Sequence, residues 1–154
     1  MTFYSEALGF RVVNRIAAAN AAFLQAGGST NDHDLGLFQI GSQAQPSAAG
    51  QATVGLYHLA WEVDTLAELA RIAEELSSRG ALVGATDHAT TKSLYGKDPD
   101  GLEFEIAWVV PAALIDDAML SQRSALKPLD VQREIARFGA DTRGGVGVSH
   151  AGTA

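Results

Sequence analysis

The sequence predicts an α+β protein made of two copies of one βαβββ unit, the first copy lacking its opening strand. Three observations predict it. Residues 2–40 read as helix, strand, strand, strand, and residues 57–109 read as strand, helix, strand, strand, strand. A stretch rich in Gly, Ser, Gln, Ala and Pro, from Gly41 to Gly55, stands between the two copies. Within each copy, apolar residues switch between period 3.6 and period 2 at lengths typical of single helices and strands.

The first module spans residues 1–41. Phe3, Tyr4, Ala7 and Leu8 recur at helical spacing over residues 2–8, and Gly9 ends the helix. Strands are expected at Phe10–Ile16, around Val12 and Val13, and at Ala21–Gln25, around Phe23 and Leu24. A third is expected at Asp34–Ile40, around Leu35, Leu37 and Phe38. Between the last two, AGGSTND at 26–32 has the composition of a turn. Residues 42–55 are the expected linker.

The second module spans residues 56–110. Tyr57–Val63 reads as its opening strand. Asp64 or Thr65 then caps a helix, Thr65 and Glu68 having the spacing of a capping box. Leu66, Leu69, Ile72, Ala73 and Leu76 mark its apolar face, and Gly80 stops it. Strands follow at Leu82–Thr86, Lys92–Gly96 and Leu102–Val109. DPDG at 98–101 makes a tight turn between the last two, with Pro99 fixing φ and Gly101 free to take φ > 0. Residues 111–138 are expected to add helices at 111–122 and 129–137, the charges of VQREIARF forming a solvated face. Residues 139–154 read as a mobile tail. Its GGVGVS lacks the lysine of a phosphate loop, and no role is expected for His150.

Composition narrows the function. The net charge is −7 and the 11 basic residues are scattered, which argues against nucleic acid as the main partner. No apolar run approaches membrane-spanning length, and the N-terminal residues lack an export signal, so a soluble, cytoplasmic protein is expected. There is no cysteine, which excludes disulfides, thiolate metal sites and a cysteine nucleophile. A small-molecule enzyme or binding protein remains.

The chemistry-bearing residues sit at the mouths of strands. Of the four histidines, His33 opens HDLGLFQI, His58 lies in GLYHLAWEV, and His88 precedes Tyr95 and Glu105 in DHATTKSLYGKDPDGLEFEI. Two histidines and a carboxylate with open positions is the ligand set of non-haem Fe(II) oxygen chemistry. Strand alternation puts Glu105 on one face with Glu103 and Ala107, opposite Leu102, Phe104 and Ile106, and puts His58 with Ala60. Each residue also has a plain structural reading. His33 can bond Asp32 or Asp34, His58 can be a structural strand histidine, and His88 can be a solvated loop histidine. Tyr95 can be a core aromatic, and Glu103 and Glu105 can be the wet face of a sheet.

Together FYSEALGF, GLYHLAWEV and SLYGKDPDGLEFEI resemble the vicinal oxygen chelate superfamily of glyoxalases, bleomycin-resistance proteins and extradiol dioxygenases, over residues 3–108. The resemblance implies paired modules that form a cup of curved mixed sheet with metal ligands pointing inward. The extradiol ring-cleaving dioxygenases fit best, through the leading histidine of HDLGLF and the histidine–tyrosine pair ahead of DPDG. On that resemblance His58 and Glu105 match metal ligands, and His33 matches a histidine near the dioxygen position. His88 matches the histidine that handles protons, and Tyr95 matches a substrate-contacting tyrosine. It further implies Fe(II), less readily Mn(II), a catechol-type diol and O₂ as substrates, and a homo-oligomer.

One feature of that pattern is missing. The family's first ligand histidine lies on an opening strand just ahead of the FYSEALGF-type helix, and this chain begins at that helix. Met1 as an internal methionine with the true start upstream, a natural fragment, or a ligand from a neighbouring subunit would each account for it. The first is favoured, because a sheet without its opening strand presents a bare edge. Two other functions stay open: a glyoxalase- or epimerase-like lyase or isomerase using Zn(II), Ni(II) or Co(II), and a metal-free binding protein of the resistance type.

Overall fold

The computed structural model describes residues 1–49 and 52–145; Val146 to Ala154, with most of GGVGVS and His150, lie outside them. The chain divides into two compact units, Met1–Ser47 and Ala48–Ala154.

The first unit opens with helix α1 (Thr2–Leu8), which buries Tyr4 and Ala7. Gly9 ends it at φ 73°, a conformation cheap only for glycine. The Tyr4 ring meets Phe10 edge-on at 6.0 Å between centroids, fastening the helix to the chain that follows. Strands β1 (Arg11–Ile16), β2 (Ala21–Gln25) and β3 (Leu35–Phe38) then form an antiparallel sheet in that order, with a register shift between Val12 and Asn14. The expected alternation fails at its ends, where Phe38 is exposed.

The second unit carries the complete βαβββ order: β4 (His58–Glu62), α2 (Leu66–Ser78), β5 (Leu82–Asp87), β6 (Thr91–Lys97) and β7 (Glu103–Val109). Its sheet runs β4-β7-β6-β5-β8, where β8 (Lys127–Pro128) is a short edge strand that periodicity did not reveal. β4 pairs β7 in parallel, and the other pairs are antiparallel. The first strand of the module thus lies against its last.

Helix α2 forms as its pattern requires. Thr65 is the N-cap and its hydroxyl accepts from the Glu68 N–H at 3.2 Å. The reciprocal half of the expected capping box is replaced, because the Glu68 carboxylate pairs with Arg71 at 2.6 Å one turn along. Leu66, Leu69, Ile72 and Leu76 are buried against the sheet. Below them lie Leu94 of β6 and Phe104, Ile106 and Trp108 of β7, all at most 2% exposed. Ala107, which alternation puts on one face with Glu105, is also buried, whereas Leu59 of β4 is 42% exposed.

The DPDG turn closes as expected, with Gly101 at φ 82° and its N–H donating to Asp98 O at 2.9 Å. The Asp98 carboxylate accepts from the N–H groups of Asp100 and Leu102, which fixes the entry into β7.

Beyond β7 the structure departs from the sequence reading. Residues 111–122 form a 3₁₀ turn at Ala112–Leu114, an extended Ile115, and a five-residue helix α3 (Asp117–Ser121), because Asp116 starts a fresh N-cap by accepting from Met119 N–H. Helix α4 (Val131–Phe138) is present, but its charges are not all solvated: Glu134 is 2% exposed. The stretch after it is bonded over its described part. Trp108 Nε1–H donates to Thr142 O at 3.1 Å, and the Gly144 and Gly145 N–H groups donate to Asp64 O and Val109 O. No helix among the described residues is long and apolar enough to cross a membrane.

Candidate functional site

Parallel pairing of β4 with β7 sets His58 opposite Glu103 and Ala60 opposite Glu105. Side chains on one face of such a pair reach diagonally, and His58 Nε2 lies 3.2 Å from Glu105 Oε2. Both are half-buried, at 29% and 15% side-chain exposure. On the other flank of β7, Tyr95 of β6 is directly opposite Glu105. The Tyr95 ring stands edge-on to the His58 imidazole at 5.9 Å, and the Glu105 carboxylate is near enough to raise the pKa of the Tyr95 hydroxyl. His88, in the turn between β5 and β6, reaches back so that its Nε2 is 3.0 Å from Tyr95 Oη.

Four of the five candidate residues therefore form one continuous line: His58, Glu105, Tyr95, His88. Burial, and then the negative charge of Glu105, push the Tyr95 hydroxyl above its ordinary pKa, so it remains a donor at neutral pH. The single hydroxyl proton cannot serve both neighbours. The Tyr95 hydroxyl donates to His88 Nε2 or accepts from Nε2–H according to the imidazole tautomer.

His33 belongs to the first unit. Its Nδ1 lies 2.9 Å from Asp32 Oδ2, and its ring meets Phe23 edge-on at 4.8 Å. Asp34, beside it, is held by the Ala26 N–H at 2.9 Å and by the Ser29 hydroxyl, which ties down the loop leading into β3.

The His58–Glu105 pair suits a divalent ion. Two donors each ~2.1 Å from one divalent ion are ~3.0 Å apart at right angles and ~3.4 Å apart at the tetrahedral angle, a span that includes the observed 3.2 Å. One nitrogen and one oxygen donor, both half-buried, would leave positions on a bound ion for a chelating substrate. Among the described residues no group of three or more His, Cys, Asp or Glu side chains converges. The other imidazole nitrogen, His58 Nδ1, is enclosed without a hydrogen-bond partner, so the ring is oriented by Tyr57 and Tyr95 rather than by a bond.

Two features of the site escaped sequence reading. Tyr57 packs on His58 with 5.2 Å between centroids, which nothing in GLYHLAWEV distinguishes from ordinary strand packing. The second is a buried ion cluster behind His88. Lys92 is fully buried, with its Nζ 2.5 Å from Asp87 Oδ1 and 3.0 Å from Glu134 Oε2. A signal for it was visible: Lys92 shares the period-2 face of Leu94, where a lysine is foreign.

Residues 1–106 match the family model described as the glyoxalase/bleomycin resistance protein/dioxygenase superfamily. Solved structures share the fold. A glyoxalase/dioxygenase from Nostoc punctiforme is 20% identical at a TM-score of 0.56, with 69% of this chain and 78% of that one covered. An integron cassette protein from the mobile metagenome of the Halifax Harbour sewage outfall is 24% identical at 0.51, covering 69% and 83%. A lactoylglutathione lyase from Agrobacterium tumefaciens is 20% identical at 0.47, covering 69% and 80%. No curated protein matches the chain.

Proposed function

The chain belongs to the glyoxalase/bleomycin resistance protein/dioxygenase superfamily, and on that premise we propose that it is a metal-dependent extradiol dioxygenase of catechol-type diols. The observation that carries the reading is the His88–Tyr95 contact of 3.0 Å, joined through Tyr95 to the His58–Glu105 pair. A proton-handling imidazole wired to a ligand pair is what ring cleavage asks of a site, since the diol must lose protons before it reacts and the product must regain one.

His58 and Glu105 would hold the metal, Fe(II) in preference to Mn(II). Once bound, it supplies positive charge that favours the ionised diol and gathers diol and O₂ into one site. The protein's own residues do the rest. Tyr95 orients the diol through its hydroxyl and ring, and His88 takes a proton from the substrate and returns it to the product. The carbon–carbon bond beside the diol breaks, and both oxygen atoms of O₂ enter the product. The partners are thus a small aromatic diol and O₂, and association into a homo-oligomer is part of the reading.

The test is oxygen uptake by the Fe(II)-reconstituted chain with catechol and substituted catechols. Stoichiometric O₂ loss with a ring-opened chromophore supports the reading. His88→Phe should lower turnover about 10²-fold or more with iron content unchanged, and equal loss of both counts against a proton role for His88.

A second reading, a lyase or isomerase using Zn(II), Ni(II) or Co(II), is favoured by the register that sets Glu105 opposite Tyr95 across β6 and β7, which suits a carboxylate that also acts as base. Turnover of a non-aromatic substrate without oxygen would establish it. Purified protein that takes up no metal would instead favour a binding protein of the resistance type.

A further inference from the structure

The turn that carries His88 is under backbone strain. The Thr90 N–H donates to His88 O at 2.8 Å, closing a three-residue turn about Ala89, whose φ is 64°. A γ-turn of that hand is rare and strained, and a residue with a Cβ at positive φ costs ~1–2 kcal/mol. Such a conformation persists only where its surroundings over-determine it. Three hydrogen bonds do so here: His88 N–H to Thr91 O at 2.9 Å, Val110 N–H to Thr90 O at 3.0 Å, and Ala89 N–H to Asp87 Oδ1 at 2.8 Å.

Asp87 Oδ1 is also the atom that Lys92 grips. Lys92 projects from the face of β6 opposite Tyr95, and Glu134 of α4 holds its ammonium from the far side. Arg133 stands 3.8 Å from Asp87 and 3.2 Å from Glu134, and the Phe138 ring centroid lies 5.7 Å from Lys92 Nζ. Burying an ion pair is a poor way to gain stability alone, since apolar residues of the same volume commonly do as well or better. The cluster's location gives it another use. It sits directly behind the turn whose first residue meets Tyr95.

We propose that Lys92, braced by Glu134, is a positioning residue for His88: its buried ammonium locks the Asp87 carboxylate, which holds the strained turn that aims the imidazole at Tyr95. The helix that braces it, α4, lies beyond the residues matched by the family model. The inference rests on the reading of His88 as the proton-handling group, and its geometry lies wholly within the second unit.

The test replaces the pair together, Lys92→Met with Glu134→Gln, so that Glu134 is not left charged opposite the missing ammonium and Asp87 keeps only Arg133, at 3.8 Å. In the folded variant, kcat for oxygen uptake with catechol should fall about tenfold or more while KM and metal content stay within about twofold. In the chain as purified, the His88 side-chain NMR signals should lose their contact with Tyr95. Unchanged kcat together with unchanged His88 signals would overturn the proposal. Should the double variant not fold, Asp87→Asn decides, since it keeps an oxygen for Ala89 N–H but gives up the ionic lock. It should show the same loss, and no change in either readout would overturn the proposal. The NMR arm needs no substrate. If the parent chain consumes no oxygen, the dioxygenase reading fails, yet movement of His88 still decides the positioning role.

Discussion

Tyr95 has one proton and two neighbours that can use it. Removing the hydroxyl should therefore uncouple His88 from Glu105 without disturbing the proposed metal donors. Tyr95→Phe is expected to leave metal content near that of the parent and to lower turnover about 10²-fold, read by oxygen uptake beside elemental analysis. The next residue tests packing instead. A Cβ on Gly96 would lie 2.4 Å from Phe104 Cζ, and Phe104 is 1% exposed with no room to retreat. Gly96→Ala should cost ~1–3 kcal/mol in urea unfolding. Individual site residues were legible to different degrees. Glu105 and His58 stood out because a polar residue interrupts an apolar strand. Glu134 did not, because a charge in sequence reads as solvated until tertiary packing pairs it.

Among the elements, α2 was the most legible, since its cap, stripe and stop all agree and each acts locally. Thr65→Ala removes the acceptor for Glu68 N–H and should cost ~1 kcal/mol, measured by denaturant unfolding. Replacing Glu68 should cost less, because its side chain pairs with exposed Arg71 rather than closing the cap. The β6–β7 hairpin was legible for the same reason: DPDG encodes its own turn. The segment after β7 was not. Its break at Ile115 depends on Asp116 capping a new helix, and β8 exists only because its two residues meet the edge of β5. A two-residue pairing leaves no periodicity to read.

At the scale of the whole molecule, acid should find Asp87. Burial pushes its carboxyl up, but the Lys92 ammonium, the Ala89 N–H and the Arg133 guanidinium together outweigh this and hold it below the ordinary range. Lys127 pairs with Asp87 only through backbone, and Glu134 is the other carboxylate in the cluster. A carboxyl depressed by folding contributes stability that is full above its unfolded pKa of ~3.9 and is lost as pH falls through the lower folded value. Asp34, lowered by the Ala26 N–H, acts with the same sign. Unfolding free energy should thus fall with pH below about 4, and Lys92→Met should flatten that fall.

His58 stands on the first strand of its module and Glu105 on the last, and only the parallel β4–β7 pairing brings them together. A denatured chain has no such pair to offer, so an ion that needs both donors reads out the completed module. Loading and folding become one equilibrium: each rise in free ion should lift the melting temperature, with ~2.7 kcal/mol gained at a hundredfold excess over the dissociation constant. His58→Ala should melt at one temperature whatever the ion concentration, which makes calorimetry a titration of strand pairing.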